Sequence, residues 1–116
     1  MMTNKETRPP EDIITRLLRK VPEKHAKTAF DWNFAMMNGA VCYGRPIGLE
    51  TRRIYLNAAN KFWKYLEDDC SNLAKAVINA IESCKPEQYS TRKHVKEAGI
   101  SLYKYLFQKS GGDWNE

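Results

Sequence analysis

The sequence predicts an all-α fold, a compact bundle of four to five helices in one domain. Three observations carry this. Apolar residues recur at helical spacing along most of the chain. No segment sustains the period-two alternation of a strand. Turn-forming stretches separate the periodic runs: Pro22, "YGRPIG" at Tyr43–Gly48, Pro86 and Gly111-Gly112.

The first helix is expected over residues 10–21. Pro9-Pro10 and Glu11-Asp12 suit a helix start, and Ile13 or Ile14, Leu17, Leu18 and Val21 give its apolar face. Arg16, Arg19 and Lys20 fall at its end, where the helix dipole favours cations. The second helix runs from Pro22 to about Val41. Its expected seam is Phe30, Phe34, Met37 and Val41, widened by Ala26, Ala29 and Trp32.

The third helix is expected from Leu49 to Asp68. Tyr55, Ala59, Phe62 and Leu66 form its seam, and Arg53, Asn57, Asn60, Lys61 and Lys64 lie on its polar side. "EDDCSN" breaks it, with Asp69 or Ser71 capping a fourth helix whose seam is Leu73, Val77, Ala80 and Cys84. The fifth spans Ser90, a candidate N-cap, to Lys109. Its seam is Thr91, Val95, Ala98, Leu102 and Tyr105 or Leu106. Residues 1–9 read as a flexible N-terminus, 10–109 as the domain and 110–116 as a linker tail.

The 116 residues are 42% hydrophobic and 28% charged, ordinary for a globular domain. No run approaches the roughly 18 apolar residues of a membrane span, and the polar start lacks a signal peptide's apolar stretch. The expectation is a cytoplasmic protein. Cys42, Cys70 and Cys84 have neither disulfide-framework nor zinc spacing, so free thiols and no metal site are expected.

The net charge is +5 and unevenly placed. Arg45, Arg52, Arg53, Lys61 and Lys64 outnumber Glu50 in one segment. Lys85, Arg92, Lys93, Lys96, Lys104 and Lys109 outnumber Glu87 and Glu97 in another. Such a distribution suits a polyanionic partner. These two segments are also related. "LETRRIYLNAANKFWKYL" (49–66) returns forty residues later as "YSTRKHVKEAGISLYKYL" (89–106). Thr51 aligns with Thr91, Arg52 with Arg92, Ala58 with Ala98, and Lys64-Tyr65-Leu66 with Lys104-Tyr105-Leu106.

Both related helices place two cations in the first turn, Arg52-Arg53 and Arg92-Lys93, where the dipole disfavours them. A bound anion reverses that sign. Free backbone N–H groups, a threonine hydroxyl and two cations make a phosphate cradle, so the repeat points to two cradles gripping a nucleic-acid backbone.

Thr51, Tyr55, Ala59, Phe62 and Leu66 resemble the pattern that opens the second helix of the SAM-like core-binding domain of tyrosine recombinases, the phage integrases. Thr91, Val95, Ala98, Leu102, Tyr105 and Leu106 resemble that domain's fourth helix, with a shorter helix between. Gly48 and Gln88 stand where the family often has serine, and the helix at about 23–41 is an addition.

The resemblance implies a DNA-binding arm of a site-specific recombinase, clamping duplex DNA together with a separate catalytic domain. It places Thr51, Arg52, Arg53, Thr91, Arg92 and Lys93 on phosphates. Lys61, Lys64, Lys96 and Lys104 add counterion-release affinity. Asn57 and Asn60 are in reach of base edges. Duplex DNA and other recombinase protomers are the implied partners, with no membrane, small-molecule substrate or cofactor. No catalysis is expected from this chain: neither His25 nor His94 begins an HxxR, and no tyrosine has the partners phosphoryl transfer needs.

Two other readings compete. A free-standing helix-turn-helix protein would use the fourth and fifth helices, joined through "KPEQY". A helical protein-interaction module would use Trp63 and Tyr103.

Overall fold

Trp32, Trp63 and Phe62 are the largest side chains wholly withdrawn from solvent, and the helices are arranged around them. The structure, a computed structural model, describes residues 11–39, 41 and 45–111. The flexible N-terminus expected at 1–9, Cys42 and most of the 110–116 tail, Trp114 included, lie outside the described residues. Among the described residues the fold is all-α, with five helices and no strand.

Helix α1 (Glu11–Arg19) buries Ile14 and Leu17 and ends with Arg16 and Arg19 in its last turn. Lys20 and Val21 follow in a tight turn held by N–H bonds to the carbonyls of Leu17 and Leu18. Pro22 is the N-cap of α2 (Glu23–Met37), where its fixed φ suits a helix start and its missing N–H costs nothing.

The buried face of α2 differs from the expected one. His25, Ala29, Trp32, Ala35 and Met36 face the core, whereas Phe30 (59% exposed), Phe34 (54%) and Met37 (38%) face solvent. Positions 25, 29, 32 and 36 have the same rhythm as 30, 34, 37 and 41, offset by five residues, about 140° around the helix. Trp32 decides between them. Its indole N–H, costly to bury unpaired, donates to the Ser101 hydroxyl at 3.1 Å.

Helix α3 (Leu49–Ala59) is shorter than expected. Beyond it the backbone tightens: the N–H groups of Asn60, Lys61 and Phe62 bond three residues back, and a 3-10 turn follows at Trp63–Tyr65. In a continuous α-helix Phe62 and Trp63 would point about 100° apart. At the tightened turn both are in the core, their rings 5.2 Å apart and edge-on. His25 stacks on Trp63 at 5.5 Å, and its Nε2–H donates to the Leu66 carbonyl at 3.1 Å.

Neither Asp69 nor Ser71 caps α4 (Leu73–Glu82); Asn72 holds that position. Asn72 instead accepts from the Glu67 N–H and donates to the Tyr65 carbonyl, fixing the connection. Asp69 accepts from the Ser71 N–H in a local turn. Leu73, Ala76 and Ala80 are the buried face, while Val77 is half-buried.

Helix α5 (Tyr89–Lys109) is the long central element, packed mainly on α3 and α4. Its N-cap is Gln88 rather than Ser90, and it buries Val95, Ala98, Gly99, Ser101 and Leu102. Helix α1 packs on α3, and α2 touches α1, α3 and α5. No described helix is long and apolar enough to cross a membrane.

Gly99 sets how closely α4 approaches α5: a Cβ added there would lie 2.5 Å from Val77 Cγ2. Gly99→Ala is therefore expected to destabilise by about 1–2 kcal/mol, overpacking outweighing alanine's better helix propensity. In a Val77→Ala background the same change becomes neutral or stabilising. Denaturant unfolding of the four proteins in that cycle checks the coupling.

Candidate nucleic-acid interface

Helices α3 and α5 bring parts of both related segments to one recess. It encloses about 640 Å³ and is lined by Lys20, Arg53, Ile54, Asn57, Ala58, Asn60, Lys61, Thr91 and His94. Lys20 comes from the end of α1. Arg53, Asn57 and Lys61 form an i, i+4, i+8 row along α3 and its following turn. Thr91 and His94 come from the first turns of α5. Three permanent cations and an imidazole thus share a concave surface, and no carboxylate lines it. Nearby charges of one sign focus the potential in such a cleft.

The expected cations separate into different roles. Arg52 does not face a ligand. It is 5% exposed, its Nε–H donates to the Ile47 carbonyl at 3.0 Å, and a terminal N–H donates to Asn33 Oδ1 at 3.1 Å. Its charge ties α3 to the loop before it and to α2, so it is corrected from a phosphate contact to a structural cation. Arg53 does line the recess but is held by Glu50 through two hydrogen bonds, one of them Nε–H to Oε1 at 3.3 Å. Hydrogen bonding to Arg53 holds the Glu50 carboxyl below its ordinary range and raises Arg53 further.

Lys61 is exposed at the recess, and Thr91 is half-buried in it. Thr51, Arg92 and Lys93 are not part of its lining. Thr51 and Thr91 are the third residues of their helices, after Gly48 and Gln88, and neither cap residue makes a side-chain capping bond. Of the six residues of the two expected cradles, Arg53 and Thr91 line the recess. Lys64 stands apart, its ammonium 5.3 Å from the centroid of the Tyr65 ring. Lys96 lines a separate, apolar groove with Val77, Ile78, Gly99, Ile100 and Tyr103. Lys104, half-buried, lies outside the recess as well.

Sequence reading missed Lys20 and His94 as partners of this site. Their positions depend on how α1 and α5 pack against α3, which no local pattern encodes. Asn60 also lines the recess, with both carboxamide polar atoms covered and unpartnered among the described residues. Such an unsatisfied buried amide costs roughly 1–3 kcal/mol.

Trp63, which only the protein-interaction reading places on a surface, is 1% exposed and belongs to the core; Tyr103 is exposed. Cys70 and Cys84 are free thiols, and desolvation pushes the Cys70 thiol up. No cluster of three metal-ligating side chains occurs among the described residues.

No protein-family model, curated protein or solved structure matches the chain.

The distinct roles of adjacent arginines give a stability test. Arg52→Ala is expected to cost about 2–4 kcal/mol, through lost charged hydrogen bonds and a buried gap. Arg53→Ala is expected to stay within about 0.5 kcal/mol of the parent, since it removes an exposed pair. Denaturant midpoints measured side by side distinguish the two.

Proposed function

We propose that this domain binds duplex DNA by its phosphate backbone through the recess between α1, α3 and α5. The observation that carries the reading is the convergence of Lys20, Arg53, Lys61 and His94 on one concave surface without a lining carboxylate. Surface cations normally scatter and pair cheaply. Their concentration in a cleft raises the local potential and favours a polyanion. Glu50 lies beside Arg53 and acts as an exchangeable partner, released when a phosphate takes the guanidinium.

The finer reading is the core-binding domain of a tyrosine-type recombinase, with catalysis in a separate domain of the parent protein and recombinase protomers as further partners. Support comes from two related helices, α3 and α5, packed together with the shorter α4 between them in sequence, the arrangement the resemblance implies. The free-standing helix-turn-helix reading fits less well. Residues 83–88 make the α4–α5 connection six residues long, against a usual turn of about three or four. It also leaves Arg53 and Lys61 on α3 without a role.

Titration against random-sequence duplex DNA at several salt concentrations tests the proposal. Affinity is expected to fall steeply with salt, and Lys61→Ala to weaken binding and reduce the log–log salt slope by about 0.9. Lys75→Ala, on α4 and away from the recess, leaves both unchanged. Glu50→Gln strengthens binding by freeing Arg53. Affinity that is flat with salt, or equal losses from Lys61→Ala and Lys75→Ala, would overturn the reading.

A further inference from the structure

We infer that the groove between α4 and α5 is a self-association surface, covered by a second copy of this chain in a two-fold dimer; the inference does not depend on the DNA-binding reading. The groove has two stretches that share Leu73, Ala74 and Tyr103. One extends to Ile78, Ile100 and Lys96. The other extends to Phe107, Ser110 and Asp69. Ile78 (53% exposed), Ile100 (46%) and Tyr103 (50%) leave large apolar side chains in water along it. Tyr103 and Phe107 stack with ring centroids 6.2 Å apart. Single apolar residues on a surface are ordinary, whereas a continuous row beside a groove marks an interaction surface.

The charges at the two ends select the occupant. Among the described residues, Lys96 is the only charged side chain lining the first stretch, and Asp69 the only one lining the second. Both are exposed. The Ser71 N–H donates to Asp69 Oδ1 at 3.0 Å and holds that carboxylate in place. Lys109 has its ammonium over the Tyr105 ring at 5.9 Å and does not line the groove. The groove is therefore positive at one end and negative at the other. Tyr103 stands midway, seven residues from Lys96 and seven from Ser110, about 10 Å each way along the helix.

A two-fold contact sets one patch against the same patch of its copy. With the axis at Tyr103 and Leu73-Ala74, the groove lies antiparallel on itself. Each Lys96 then meets Asp69 of the partner subunit, and the apolar row between them is covered from both sides. A uniformly acidic or basic partner matches only one end. The exposed Phe30 on α2 sits beside Arg19 and Lys27 with no carboxylate in that lining, so that surface lacks this self-complementarity.

The dimer leaves the recess free. Tyr103 is nine residues from His94, about two and a half turns, which puts it on the opposite side of α5. The linings of groove and recess share no residue.

The experiment is sedimentation equilibrium of the full chain from roughly 1 μM to 1 mM, in about 0.15 M salt to screen the repulsion of two positively charged copies. A concentration-dependent dimer is expected. Ile100→Glu, at an exposed position, is expected to weaken it at least about tenfold while leaving circular dichroism and melting unchanged. Lys96→Glu and Asp69→Lys each oppose like charges and weaken it roughly fivefold. Mixed in equal amounts, these two variants regain the parent's affinity, because both end pairs are again of opposite sign.

A monomer at every concentration overturns the inference, whether the groove then takes residues 112–116 or a different protein. So does a dimer that Ile100→Glu leaves intact, which places the contact on another face. A dimer that tolerates both charge reversals, or that their mixture fails to restore, rules out the antiparallel pairing and the inference with it.

Discussion

The buried indole of Trp32 fixes the geometry on which the rest of the domain depends. The buried Trp63 N–H has no partner among the described residues, whereas that of Trp32, costly to leave unpaired, has an acceptor. Here the Ser101 hydroxyl on α5 supplies it. The same ring meets Trp63 edge-on, with centroids 6.4 Å apart, and Trp63 in turn packs on Phe62 and His25. Helix α2 is thereby tied both to α5 and to the turn that ends α3. Because α3 and α5 supply opposite parts of the recess, its shape is set by aromatic packing on the far side of these helices. A surface of cations that repel each other needs such a scaffold, since charge alone would spread them apart.

The helical class, the order of elements and most core positions on α3, α4 and α5 were legible from periodicity. Ala59, Phe62, Leu66, Leu73, Ala80, Val95, Ala98 and Leu102 are buried as their spacing implies. Helix α2 was not legible in the same way. It offers two apolar rows of identical rhythm, and the row with Phe30 and Phe34 is the more hydrophobic on its face. The choice fell to a long-range hydrogen bond, Trp32 to Ser101, which no local pattern encodes. The outcome leaves Phe30, Phe34 and Met37 exposed, together with Ile13 on α1. The early end of α3 is a second departure. The adjacent large rings of Phe62 and Trp63 are both buried at the tightened turn that ends it.

Charge was legible as a total and not as a surface. Arg52 and Arg53 are indistinguishable in sequence. One is turned inward to Ile47 and Asn33, and the other outward to Glu50 and the recess. Both arrangements answer the unfavourable dipole at the start of α3. Arg52 meets a carbonyl and an amide oxygen, and Arg53 meets a carboxylate in the same helical turn. The apparent misplacement of cations is therefore partly resolved within the fold. The recess draws its cations, Lys20, Arg53 and Lys61, from the end of α1 and from α3 and its following turn, and no single-helix rule would find them together.

The sequence repeat takes a different meaning in this light. Its most faithfully kept structural feature is a pair of small buried residues, Ala58-Ala59 in α3 and Ala98-Gly99 in α5. Such pairs let a neighbouring helix come close, as Val77 does at Gly99. The polar positions diverge. Asn57 aligns with Glu97, and Lys61 aligns with Ser101, which is buried against Trp32. The repeat thus encodes packing twice, while the recess is lined mainly from one copy and completed by Thr91 and His94 from the other. Two helices with the same packing code bring unlike faces together, and a recess lined by both is asymmetric by construction.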